Sequence, residues 1–178
     1  MGVIIPDSSL IACICEGGAE TAIMDILLDN NLLIFEREQL ITENVIPRTS
    51  ARDFEKRYLR VEYGKKIIIL RIIDSRSEEF RLSRAYKCQV EVIDVITAPE
   101  IEMLVIIKEK KYVEYFRSRV SKPSDFCKQN LKISNVKKPD FIRDYFSDPE
   151  SLISSINEYH RIHRQRNNEA SLYDLIKH

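Results

Sequence analysis

The sequence predicts an α/β protein: a mostly parallel central sheet flanked by helices, with a helical C-terminal tail. Three observations predict it. Residues 9–15 (SLIACIC) and 65–74 (KKIIILRIID) hold apolar runs with no alternation. Strands read this way when helices cover both faces of a parallel sheet. Segments with helical spacing lie between such runs, which is the order of βαβ units. Finally, three segments in the last third (KPSDF, KPDF and DPESL) place Pro beside Ser or Asp, as at helix starts.

Taken in order, residues 9–15 form the first strand, and Gly17-Gly18 gives the following turn its freedom. Residues 19–28 form a helix with Ala19, Ile23, Ile26 and Leu27 on one side, stopped by Asp29-Asn30-Asn31. Residues 32–35 (LLIF) read as a short second strand. REQLI and SARDFEKRYL read as short helices around Pro47, the second a mixed-charge surface helix. Residues 65–74 are the clearest strand and end on Asp74. SRSEEFRLSRAY reads as a helix or helical loop, and residues 88–96 (CQVEVIDVI) as another strand. A helix follows over residues 97–119, with Thr97 and Pro99 near its start. The expected division is an α/β domain over residues 1–120 and a helical extension packed on it over 121–178. The basic stretch HRIHRQRNN precedes a last short helix, ASLYDLIKH.

Charge excludes little. The 28 Lys and Arg balance the 28 Asp and Glu, so any surface for nucleic acid must be a local patch. No apolar run approaches the ~18 residues that span a membrane, and the N-terminal stretch lacks the pattern of a secretory leader. Cys13, Cys15, Cys88 and Cys127 show no metal-ligand spacing. They read as small buried hydrophobes in a reducing compartment, so a cytoplasmic location without membrane contact is expected. There is no P-loop, no dinucleotide fingerprint and no nucleophile elbow.

Chemistry is expected at the strand ends. Ligands of open α/β sheets bind beyond the carboxyl ends of the strands. Glu16 ends the first run and Asp74 the middle one, while Glu100 and Glu102 follow the third strand. Carboxylates after such runs must be solvated, paired or bound to a cation. An oxygen-only set suits Mg²⁺. The plainer alternative is that strands simply end on polar residues. An α/β protein handling a small phosphorylated metabolite also fits a carboxylate edge.

CICEGGAET followed by an amphipathic helix, then ILRIIDSR at the end of a later strand, resembles the TOPRIM domain of topoisomerases, primases, and OLD-family and RloB-like nucleases. TAPEIEMLVI looks like the proline-aromatic-glutamate helix start of RloB-like proteins, with Ile101 in the aromatic place and Glu102 as the Glu. The resemblance covers residues 9–109. It implies that Glu16 is the signature Glu and Asp74 the first Asp of an Asp-x-Asp pair. Together they would hold Mg²⁺ or Mn²⁺ for phosphodiester chemistry, with Glu16 as metal ligand or general base. Arg76 stands where the second Asp is expected, so Glu78, Glu100 or Glu102 must supply that carboxylate, or catalysis is lost and binding remains. On this reading Arg71 or Arg76 grips phosphate, and Gly17 and Gly18 let the backbone approach nucleic acid. Glu20 reads as a solvated first-turn residue favoured by the helix dipole, with a supporting place behind the metal ligands as the alternative. The resemblance further implies a nucleic-acid partner, a separate ATPase or other subunit, and a setting in anti-phage defence.

His160 and His163 read as part of a solvated basic helix face. With Arg161, Arg164 and Arg166, and with Tyr159 and Tyr173 for stacking, this segment is the best local cationic patch; contact with phosphates, docking on an acidic partner and plain surface all fit it.

Overall fold

The computed structural model describes residues 3–97, 99–163 and 169–178, apart from the side chain of Glu100. Its centre is a four-stranded, all-parallel sheet in the order β2-β1-β3-β4. The strands are β1 (Leu10–Cys15), β2 (Ile46–Pro47), β3 (Ile67–Ile73) and β4 (Val90–Ile96). The two unalternating runs became the two central strands. β1 pairs with β3 from Leu10↔Ile67 to Cys15↔Ile72, and β3 pairs with β4 along its whole length.

The helices are α1 (Gly18–Asp29), α2 (Ala51–Tyr58), α3 (Arg84–Lys87), α4 (Glu100–Lys108), α5 (Tyr112–Arg117), α6 (Pro123–Gln129), α7 (Pro139–Tyr145) and α8 (Pro149–Ile162). Proline opens α6, α7 and α8, where its fixed φ suits the first turn and its missing N–H costs nothing. Asp148 also caps α8 by accepting from the Glu150 N–H.

The two faces of the sheet differ in depth. On one, Ile11, Cys13 and Cys15 of β1 and Ile68, Leu70 and Ile72 of β3 join a large core with α1, α4 and α6–α8. In that core α7 lies against α1, while α6 and α8 lie against α4. The helices after residue 120 thus share one core with the sheet. On the other face, Ala12, Ile14, Ile67 and Ile69 meet Ile46, Phe54 of α2 and Leu59 in a smaller cluster, rimmed by partly buried side chains such as Tyr58, Phe80 and Tyr86. Cys13, Cys15 and Cys127 are buried free thiols and Cys88 is an exposed one. Burial pushes the Cys15 thiol well above its ordinary pKa.

Three expectations are corrected. The second strand is Ile46–Pro47, not residues 32–35, because Leu33 instead pairs antiparallel with Ile176. The long helix over residues 97–119 divides into α4 and α5 at Lys110, whose φ of 57° is left-handed and ends α4. SRSEEFRLSRAY is loop except for the single turn of α3.

Residues 169–178 act as a strap across the molecule. Ala170 accepts from the Ile96 N–H and bridges Val95 at the end of edge strand β4. The Ile34 N–H donates to Leu175, and the Lys177 N–H donates to Leu32. Among the described residues no helix is long and apolar enough to cross a membrane.

Candidate active site at the strand ends

From β1 the chain passes first to β2 on one side and later to β3 on the other, so the strand order reverses beside β1. Doubly wound sheets bind ligands at such a switch point, outside the carboxyl ends of the strands. Glu16 and Asp74 stand there, one residue past β1 and β3. The Glu16 N–H continues the ladder to the Ile72 carbonyl at 2.9 Å. The Asp74 N–H in turn donates to Glu16 Oε2 at 2.9 Å.

Other elements bring further carboxylates. Glu20, in the first turn of α1, is 5% exposed. Its carboxylate folds back over Gly17, where an added Cβ would lie 2.7 Å from Glu20 Oε2. Glu102, in the first turn of α4, is also buried. Lys137, just before α7, joins the acids from the two ends of this rim. Its ammonium lies 3.2 Å from Asp74 Oδ2 and 3.4 Å from Glu102 Oε1. The loop holding Lys137 is seated by Pro139, whose ring lies where a Gly18 side chain would be, 3.1 Å from that Cβ position.

On the shallow face the contacts continue. Arg48, just past β2, is 3.3 Å from Glu16 Oε1 and 2.9 Å from Glu78 Oε2. Arg71, in the middle of β3 and only 3% exposed at its side chain, donates to Asp94 of β4 at 3.0 Å and lies 3.6 Å from Glu78. Its guanidinium also sits 4.9 Å from the centre of the Phe80 ring. Acid and base therefore alternate from Asp94 through Arg71, Glu78 and Arg48 to Glu16, and from Asp74 through Lys137 to Glu102.

The electrostatics show an excess of negative charge. Burial raises the Glu16 pKa, the Asp74 N–H pulls it down, and the charges of Asp74 and Glu78 raise it again. Burial also raises Glu20; its own N–H and Lys137 oppose this, and Asp74 and Glu16 add to it. Burial raises Asp94 despite Arg71. For Lys137, burial works downward, but Glu102 and Asp74 prevail and its pKa is raised. Six carboxylates (Glu16, Glu20, Asp74, Glu78, Asp94, Glu102) face three cations (Arg48, Arg71, Lys137) along this network.

Glu16, Asp74 and Glu102, expected from the sequence as ligands, are thus brought together. Among the described residues, however, no three His, Cys, Asp or Glu side chains form a ready-made metal centre. A lysine ammonium stands between Asp74 and Glu102 instead. The donor set still suits a hard divalent ion, because it is all oxygen and carries surplus charge. The side chain of Glu100 lies outside the described residues, as does Arg164.

Other expected residues have different surroundings. Arg71 is committed to Asp94, Glu78 and Phe80 inside the protein. Arg76 lies 2.9 Å from Glu169 on the strap. Internal packing by Glu20 and Pro139 accounts for Gly17 and Gly18. Glu20 is buried rather than solvated, a correction that follows from its fold-back onto the helix start. Arg161 pairs with Glu158 one turn earlier on the exposed face of α8, and His160 and His163 stack on Tyr173 and Tyr159. The sequence gives no sign of Lys137 and Arg48 at the rim, since one precedes a helix start and the other follows a strand of two residues.

No family model, no curated protein and no solved structure matches this chain.

Proposed function

We propose that the chain is a Mg²⁺- or Mn²⁺-dependent nuclease of TOPRIM type, cleaving nucleic-acid phosphodiesters in the cytoplasm. The observation that carries this reading is the surplus of carboxylates gathered at the switch point of a parallel sheet. Asp74, Glu102 and Glu16 are the residues that would hold the ion, which when bound polarises phosphoryl oxygen and offsets charge as the bond breaks. As the alternative to holding the ion, Glu16 accepts a proton from water, a role that its raised pKa and its tie to the Asp74 N–H support. Arg48, paired with Glu16 and Glu78 but 60% exposed at its side chain, is able to exchange them for phosphate, unlike the buried Arg71. Lys137, half-exposed, is able to leave the carboxylates for the same phosphate. Action beside a separate ATPase or other subunit, and a role in anti-phage defence, follow from the family resemblance.

The test compares wild type with Glu16→Gln and Asp74→Asn on single-stranded and duplex DNA and RNA, with Mg²⁺ or Mn²⁺. The expected result is metal-dependent cleavage that falls at least a hundredfold in each variant, of the order supplied by general-base catalysis. Equal cleavage in all three proteins removes the proposal.

A second reading is a binding or regulatory subunit that keeps the scaffold without catalysis. It is favoured by Lys137 and Arg48 resting on the carboxylates, and by Arg76 in the place of the second acid, tied to Glu169. Nucleic-acid binding without cleavage at any metal concentration would select it.

A further inference from the structure

A surface remote from the carboxylates carries its own pattern. Between residues 108 and 122 stand six Lys and Arg and two Glu, in a chain whose total charge is balanced. Lys110, Arg117, Arg119 and Lys122 are all exposed, and none makes an ion pair among the described residues. Amid them, α5 turns apolar groups to water. Phe116 is 77% and Val113 58% exposed, and the Phe116 ring stacks with Tyr112 at 6.3 Å between centres. A helix closed by a core would bury these side chains, while a charged solvated face would not hold them.

Beside α5 an open groove of about 680 Å³ runs along α8. One wall is Ile107, Tyr112 and Val113; the other is Ser151, Ser154 and Ile162. Of the acids nearby, Glu158 is answered by Arg161 at 2.6 Å and Glu114 by Lys111 at 2.6 Å, while Glu109 accepts from the Tyr145 hydroxyl. Toward its C-terminal end α8 reaches the strand-end rim. There His160 stacks on Tyr173 of the strap, and Glu169 of the same strap holds Arg76, on the loop just past Asp74. α8, which walls the groove, thus joins the basic, aromatic surface of α5 to the strap beside the strand ends.

We propose that the face of α5 and the α5–α8 groove bind a single strand of nucleic acid and lead it to the rim; this rests on the nuclease reading and narrows its substrate to single strands. Uncompensated cations follow the phosphates. Exposed aromatic faces stack on bases, and only an unpaired strand offers free base faces. Stacking tolerates any sequence, so no base preference is expected.

The experiment measures fluorescence anisotropy of labelled oligo(dT) and oligo(U), about 20 nucleotides long, against a duplex of equal length, in EDTA so that cleavage does not interfere. That length exceeds the ~4–16 nucleotides covered by one OB fold. Single strands bind more tightly than duplex. Phe116→Ala weakens them roughly tenfold, as loss of one stacked base does. Arg117→Glu with Arg119→Glu lowers the slope of log affinity against log salt by roughly 1.4, two phosphates' worth. Circular dichroism of these surface variants confirms that they fold. Equal binding of duplex and single strand, or wild-type affinity in Phe116→Ala, overturns the proposal. So does light scattering that shows a dimer lost in Phe116→Ala, which would make this face a self-association surface. Because binding is read without metal, its failure leaves the nuclease reading standing. Strand binding without cleavage under Mg²⁺ removes the nuclease reading alone.

Discussion

Leu70 and Arg71 are neighbours on the same central strand, yet they face two different proteins. Leu70 points into the deep core shared by α1, α4 and the later helices. Arg71 points to the shallow face, where the short helices α2 and α3 and the loops around them are the cover, and there an ion pair takes the place of a hydrophobe. The difference separates two tasks of one sheet. The deep face supplies the free energy that holds the strands together. The shallow face spends burial on a line of charge running to the strand ends, where β1, β3 and α4 present their acids.

Variants on the two faces sharpen this contrast. Leu70→Ala, at a fully buried position, is expected to cost about 4 kcal/mol, transfer and cavity together, read as a shift in urea midpoint. Arg71→Ala is expected to cost about 3 kcal/mol, because Glu78 and Asp94 lose their buried partner. The figure stays at the low end of the range for buried pairs because water reaches Asp94, whose side chain is 42% exposed. A loss under about 1 kcal/mol would make the shallow face ordinary surface rather than a second, charged core.

The smallest effect concerns the acids themselves. Glu16 and Glu20 have pKa values raised above the ordinary 4.5, so the folded state holds their protons more tightly than the unfolded chain does. Their contribution to stability is therefore lost as pH rises from about 4.5 through the raised values. Glu20→Gln removes part of that fall. The thermal midpoint of the variant gains on wild type between about pH 4 and pH 7, with the difference growing toward pH 7. An unchanged difference across that interval would show that Glu20 titrates as in water.

The deep face was legible in the sequence because burial on both sides leaves a run with no alternation. That signal located β1 and β3, and proline beside Asp or Ser located α6, α7 and α8. β2 was not legible. Two residues, one of them Pro47, hold no periodicity, and the apolar LLIF nearby outweighed them while its Leu33 pairs instead with Ile176. Nor does any residue type announce the break at Lys110, where a lysine takes a conformation that glycine or asparagine usually fills. At the rim, the meeting of Glu16, Asp74 and Glu102 followed from the strand-end rule. Their counter-ions did not. Lys137 comes from a loop between late helices and Arg48 from beyond the unread strand, so only tertiary packing sets them there. Glu20 was misjudged because its place in a first turn suits solvent equally well; the fold-back over Gly17 depends on a neighbour without a side chain.

The strap has a kinetic corollary. Leu33 leaves α1 early in the chain yet finds its backbone partner at Ile176, and the edge of β4 is finished by Ala170. Closing such distant pairs demands entropy before it returns any contact, which slows the search for the native state. The contacts at Leu33 and Val95 are therefore expected to form last, once residues 170–177 have arrived to fasten them.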